Sequence, residues 1–269
     1  MIASTKFFKN NAAFSLVELS IVLVILGLLT GGILTGQSLI KAAELRAVPT
    51  EAEQFAAAVN TFKGKYFGLP GDITNATSFW GDNNTHCADG AITNGTPGTC
   101  NGDGDGAIEV AGANAEGEIF MFWNQLALAG LINGQFSGIA GTGSGFDSDA
   151  GVNAPASKLS SGIWAVFYHS GDHGIFFRDV SGLSSNDLMV GADTGTVYPE
   201  NPLLRPEDAW NIDKKMDDGQ PGRGKVQGGH WSDDCSSAND GSSATNDYDA
   251  SYRLTDSSVQ CALLFKDAF

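Results

Sequence analysis

The chain has 269 residues, with 31 acidic against 15 basic side chains and a formal net charge of -16. So acidic a surface is repelled by nucleic acid and anionic lipid, which argues against general polyanion binding, and it favours divalent cations. Thirty-five glycines and only 17% charged residues point to a loop-rich exported domain rather than a compact helical enzyme.

The first predicted element is apolar. Between Phe14 and Lys41 the single ionisable side chain is Glu18, and from Leu19 to Ile40 there is none. At ~1.5 Å per residue those residues span about 33 Å, enough to cross a bilayer. Lys6 and Lys9 precede the span without an acid, so the positive-inside rule keeps the N-terminus cytoplasmic and the acidic domain outside. A secretory signal has a shorter core and a clean small-residue cleavage site. A plain anchor does not explain Glu18, because a carboxylate in an apolar span is costly and functional by default.

The run Ala13-Phe14-Ser15-Leu16-Val17-Glu18 resembles the processing site of type IV prepilins and type II secretion pseudopilins. The resemblance implies a basic leader, residues 1–13, cut by a prepilin peptidase that then N-methylates Phe14. It puts Glu18 at the fifth position of the mature chain. Ala13 departs from the Gly usual before the cut. Assembly would pair Glu18 of one subunit with the Phe14 amine of a neighbour, since an unpaired carboxylate in low dielectric enforces register. The implied partners are other pilin-like subunits, the peptidase and an inner-membrane assembly platform. The acid at Glu18 argues against the family's tip subunit that commonly lacks it. Gly27, Gly31, Gly32 and Gly36 would allow close helix approach and local melting.

From Lys41 the helix continues with a new face: Ala52, Phe55, Ala56, Val59, Phe62 and Tyr66 recur at three- and four-residue steps. Glu44, Arg46, Glu51, Glu53, Lys63 and Lys65 are assigned polar positions. Pro49 is expected to kink or briefly interrupt this helix. It should run from about Ser15 to Tyr66 and end before Gly68-Leu69-Pro70-Gly71-Asp72. That exit also resembles the helix exit of pseudopilins.

Residues 73–115 read as a long loop. Within it, Asn101-Gly102-Asp103-Gly104-Asp105-Gly106-Ala107-Ile108-Glu109 resembles the start of an EF-hand-type calcium loop, with oxygens at alternating positions and then Gly. The metal set expected is Asn101, Asp103, Asp105, Ala107 and Glu109. Gly112 stands where the bidentate acid should be, so Glu109, Glu116 or Glu118 would have to supply a carboxylate. Pseudopilins use calcium to fix loops, which the resemblance brings to this chain as its one expected cofactor.

The stretch 116–132 reads as a short buried helix with Ile119, Phe122, Trp123, Leu126 and Gly130 on one face. Residues 163–168 and 174–180 read as strands joined at a Ser170-Gly171-Asp172 turn. His169, Asp172 and His173 are turn residues: neighbours at a turn rarely converge as metal ligands, and a Ser170/His173/Asp172 catalytic set lacks an oxyanion motif. Leu188–Val190 is a short strand. Pro206–Met216 is a helix with Pro and acids in its first turn. Asp213, Asp217 and Asp218 form a further candidate cation turn. Residues 262–265 suit a final strand.

All four cysteines follow the apolar segment: Cys87, Cys100, Cys235 and Cys261. An even count in an exported domain favours two disulfides. Three pairings are open, and proximity favours Cys87–Cys100 with Cys235–Cys261. No pair has zinc-knuckle spacing.

The expectation is an α+β, pilin-like fold: a leader (1–13), a transmembrane and polymerisation helix (14–40), its amphipathic continuation and exit (41–72), and an extracytoplasmic domain (73–269). The expected function is structural and not enzymatic, in a pilus or a secretion pseudopilus at the inner membrane. The alternative is a minor pilin acting as a surface- or substrate-binding module.

Overall fold

The computed structural model describes residues 15–81, 98–109, 117–141, 147–169, 184–229, 234–237 and 250–269. The chain divides after Ala43 into two units. Helix α1 (Leu16–Tyr66) supplies all of the first unit that is described except Ser15, and opens the second. The second unit adds α2 (Ala76–Trp80), α3 (Glu118–Leu128), β1 (Gly162–His169), β2 (Ser185–Ala192), α4 (Pro206–Met216), β3 (Val226–Gly229) and β4 (Ala262–Phe265). The four strands form one antiparallel sheet in the order β1-β2-β4-β3. The fold is therefore α+β, a long N-terminal helix with an antiparallel sheet, as expected for a pilin-like chain.

From Leu16 to Ile40 the apolar side chains of α1 are exposed. No water competes for backbone groups inside a bilayer, and the hydroxyls of this segment are satisfied internally. Thr30 Oγ1 donates to Leu26 O at 2.8 Å and Thr35 Oγ1 to Gly31 O at 2.9 Å. Ser20 and Ser38 return to carbonyls three residues back.

From Glu44 onward the helix acquires a buried face of Val48, Glu51, Ala52, Ala58, Val59 and Phe62. Pro49 does not interrupt α1, which runs unbroken through it. The ring removes one backbone donor, and the burial of Val48, Glu51 and Ala52 on either side holds the turn in place. Glu51 is not the solvent-facing residue the sequence suggested. It is buried and accepts three hydrogen bonds: from Ser157 Oγ at 2.9 Å, Lys158 N at 3.0 Å and Trp164 Nε1 at 3.0 Å. Next to it, Phe55 meets Trp164 and Trp123 edge-on, with ring centroids 5.5 and 5.0 Å apart.

Strand register sorts the sheet into two faces. Trp164 lies opposite Val190 and Val166 opposite Leu188, while Leu188 and Val226 flank Phe265 on either side. Residues directly opposite share a face, and this set joins Val48, Val59, Phe62 and Phe122 in the main core. Met189, Ala262 and Leu264 point the other way and pack with Tyr198. Helix α3 is buried on every side from Glu118 to Leu126, more than the one-faced reading expected. The expected strand 174–180 and its turn at Ser170–Asp172, with His173, lie outside the described residues.

Cys235 and Cys261 form a disulfide, Cα–Cα 5.0 Å, which fastens the 234–237 segment to the residue before β4. Cys100 is also disulfide-bonded; Cys87 lies outside the described residues.

Candidate functional sites: the N-terminal segment and the acidic loop

Ala13 and Phe14 lie outside the described residues, so the first described group is Ser15. Its backbone N–H donates to Glu18 Oε2 at 2.8 Å, and its Oγ accepts from Val17 N at 3.3 Å. Leu19 N to Ser15 O, 3.1 Å, is the first helical bond. This is a capping box: each side chain satisfies an orphan donor of the first turn. Glu18 also complements the positive end of the helix dipole. The Ser-x-x-Glu spacing carries this signal in the sequence, where Glu18 was read only as an assembly residue. One carboxylate oxygen is used by the cap, and the other has no hydrogen bond among the described residues. Gly27, Gly31, Gly32 and Gly36 have open space where a Cβ would stand.

The second site is built around Asp72, in the breaker cluster that ends α1. Its Oδ1 accepts from Gly104 N at 2.7 Å and its Oδ2 from Gly106 N at 3.2 Å. Gly102 N donates to Ile73 O at 2.9 Å, and a Cβ on Gly102 would collide with the Asp72 backbone. The glycines of the loop are thus needed for close approach to the helix exit. Asp103 and Asp105 each turn the chain locally, accepting from the N–H two residues on at 3.1 and 2.8 Å. Carboxylate oxygens of Asp72, Asp103 and Asp105 lie within 4.8 Å of one another.

Glu118, at the start of α3, closes the loop from the far side. Its oxygens accept from Asp103 N at 3.2 Å and Glu109 N at 3.3 Å. Burial, with Asp72 and Asp103 nearby, pushes its carboxyl up to about 8 against the two backbone donors. Burial raises Asp72 as well, and Asp105 and Asp103 add to it. Asn186 of β2 fixes the end of the loop: it accepts from Ile108 N and donates to Gly106 O, both at 2.8 Å.

Of the expected set, Asp103 and Asp105 converge. Asn101 is committed elsewhere: its Oδ1 accepts from Thr77 N at 2.9 Å and Thr77 Oγ1 at 3.1 Å, holding the first turn of α2. Ala107 lies in the loop with its N–H on Asp105. Glu109 gives its N–H to Glu118, and its own carboxyl is raised by burial and by Asp105 and Asp103. Asp72 went unnoticed because it precedes the loop by some thirty residues and reads as part of a turn.

Asp213, Asp217 and Asp218 also come together, and as in the acidic loop each accepts hydrogen bonds. Asp213 accepts from Gly219 N and Tyr252 Oη, both at 2.9 Å. Asp217 takes Lys225 N at 2.5 Å, and Asp218 takes Gln220 N at 2.8 Å and Arg223 Nε at 3.0 Å. The group ties the end of α4 to the entry of β3.

Comparison with curated proteins and with solved structures finds no match to this chain. Residues 8–34 match the family model for the prokaryotic N-terminal methylation motif. The match spans Ala13, Phe14, Glu18 and the exposed apolar start of α1. The chain thus carries, at residues 8–34, the signature shared by type IV pilins and pseudopilins.

Proposed function

We propose that this chain is a structural subunit of an inner-membrane-based filament, a type IV pilus or a type II secretion pseudopilus. The methylation motif running into an exposed apolar helix carries this reading. A prepilin peptidase cuts between Ala13 and Phe14 and methylates the new amine, on the cytoplasmic side of a single-pass anchor. In the filament the apolar halves of α1 pack together, and the free oxygen of Glu18 meets the Phe14 amine of a neighbour. In low dielectric the unpaired carboxylate is disfavoured, so only the paired register persists. Mass spectrometry of the membrane-extracted protein should give a mature N-terminus at methylated Phe14; an intact Met1 refutes processing. Glu18→Ala should insert normally and fail to assemble, and wild-type filament levels in that variant refute the pairing.

A second reading concerns the loop. The proximity of the Asp72, Asp103 and Asp105 oxygens supports a calcium site, since three carboxylates held by glycine turns present hard oxygen ligands. Glu118 would steady the loop through its backbone bonds, and Asn101 and Glu109 would stand outside the ligand set. Thermal melting of the full chain in calcium against chelator tests it: ligand binding to the folded state raises the midpoint by mass action. Unchanged melting removes calcium from the account. The Cys87–Cys100 pairing belongs to the same proposal, as the staple of the loop before it.

A further inference from the structure

Between α2 and α3 opens a cleft of about 740 Å³ whose described lining carries no ionisable side chain. Its polar groups are committed within the protein. Asn124 Nδ2 donates to Phe136 O at 2.6 Å, Gln125 Nε2 to Thr99 Oγ1 at 3.2 Å and Ser137 Oγ to Ile139 O at 3.1 Å. The wall backbones pair with one another, Gly98 N with Ser137 O at 2.9 Å and Ser137 N with Val152 O at 2.8 Å. No open ladder remains for an added strand. What the cleft leaves unpaired is apolar: Trp80, Phe136, Leu128 and Val152, the last two 46% and 55% exposed. Such a surface takes an apolar side chain rather than a polar ligand.

The same chain holds such a side chain out in water. Phe67 is 92% exposed, more than any other large apolar side chain described, those of the apolar half of α1 included. Its ring therefore does not fill the cleft of its own chain. Its backbone sits at φ 60°, where glycine is usual, although Gly68 stands one place on. A strained backbone and a ring left in solvent are both unfavourable, and together they mark a residue kept for a contact.

The charges around the two features are opposite. Lys63 and Lys65 are exposed in the last turn of α1, and Phe67 N–H is bonded to Lys63 O. On the cleft side, Val152 N donates to Asp149 O at 3.1 Å, and Ala150 N to Asp193 Oδ2 at 3.3 Å. A Cβ on Gly141 would strike the carboxylates of both Asp147 and Asp149. Three acids thus gather at the turn that carries Val152. Burial, then Asp147 and Asp193, raises the Asp149 carboxyl, and a cation brought to this rim relieves the repulsion.

We propose that Phe67 of one chain seats in the cleft of a second copy, with Lys63 and Lys65 facing Asp149 and Asp193 of that copy. Each copy carries both halves, ring and cleft, so the contact is self-complementary. Two chains of net charge -16 repel each other, least where a basic patch meets an uncharged cleft. The contact uses neither Phe14 nor Glu18, so it stands apart from the filament reading.

The test is sedimentation equilibrium of the full chain in density-matched micelles, with photo-crosslinking from a benzoylphenylalanine placed at position 67. Reversible self-association is expected, and equal mixtures of light and nitrogen-15-labelled chains should give mixed crosslinks to residues 127–137 or 151–152. Phe67→Gly, which removes the ring, and Val152→Lys, which puts a cation at the mouth, should each weaken association by about tenfold or more with melting cooperative in both. Mixed together, these two variants should associate with each other more than either does with itself, because one keeps the cleft and the other the ring. Glu18→Ala should leave the crosslink in place, which separates this contact from filament assembly. A monomer at every concentration, crosslinks that map elsewhere or only within one chain, or wild-type association in Phe67→Gly each overturns the proposal. So does a crosslink, in membranes of the expressing cells, to a different protein in place of a second copy.

Discussion

Glu51 is the point at which the charge of α1 enters the core, and its removal has a calculable cost. Glu51→Ala leaves the Trp164 indole N–H, which is fully buried, without an acceptor. It also strips Lys158 N and Ser157 Oγ of theirs. An orphaned buried donor costs about 1–3 kcal/mol, and hydrogen bonds to a charged acceptor are at the upper end. Lys158 and Ser157 recover part of their loss from water, because they are partly exposed. The expected loss is therefore about 3–5 kcal/mol. At ~2–4 °C per kcal/mol for a domain of this size, the midpoint falls by roughly 6–20 °C. Glu51→Gln keeps the shape but offers one acceptor and turns a donor toward the others, for a loss of about 1–3 kcal/mol. The assay is thermal melting of the full chain in micelles, followed by near-ultraviolet circular dichroism. A double-mutant cycle with Trp164→Phe isolates the indole bond and should show coupling above about 1 kcal/mol. A loss under about 1 kcal/mol in Glu51→Ala, or additivity within about 0.5 kcal/mol in the cycle, refutes the clamp.

Two further expectations follow from strain and from charge. Phe67, one residue past α1, sits at φ 60° with its ring 92% exposed, while its N–H holds Lys63 O at 3.0 Å. Phe67→Gly relieves the left-handed strain at this helix end and should stabilise the domain by about 1 kcal/mol; a destabilised variant would show that the ring packs. Asp187 is buried in β2, accepts from Asp267 N at 3.0 Å through Oδ1, and leaves Oδ2 without a hydrogen bond. Burial raises its carboxyl to about 6, above its unfolded value. The folded state therefore binds the proton more tightly, and the associated stability is complete below about pH 4 and lost as pH rises through 6. Asp187→Asn should gain up to about 3 kcal/mol at pH 8 and progressively less toward pH 4, read from denaturant unfolding at each pH. A gain independent of pH would refute burial of the charge as the cause.

Periodic segments were legible and distant pairings were not. The uninterrupted apolar run and the three- and four-residue steps after Lys41 defined α1 to within a residue. Pro206 with acids in the first turn defined α4. β3 was missed because Val-Gln-Gly-Gly has little strand propensity; it is a strand because β4 offers it an edge. α2 is five residues long and owes its first turn to Asn101, some 24 positions away. The acidic loop showed its own alternating oxygens, and Glu118 stood among the acids offered to complete it, but Asp72, at the helix exit some thirty residues before, did not show. Local spacing reports carboxylates that share a turn; it is silent on partners contributed from across the core.

The strand order has a consequence for how the domain is made. β4, formed by residues 262–265, lies between β2 and β3, so those two strands have no bond to each other until it arrives. Every segment before residue 262 is synthesised with the sheet split. The disulfide at Cys261 cannot close earlier either. Until β4 is made the strands wait as two unjoined pieces, so collapse of the first strands cannot complete the sheet. Loss of the segment from residue 262 onward would separate the sheet at its middle instead of trimming its border.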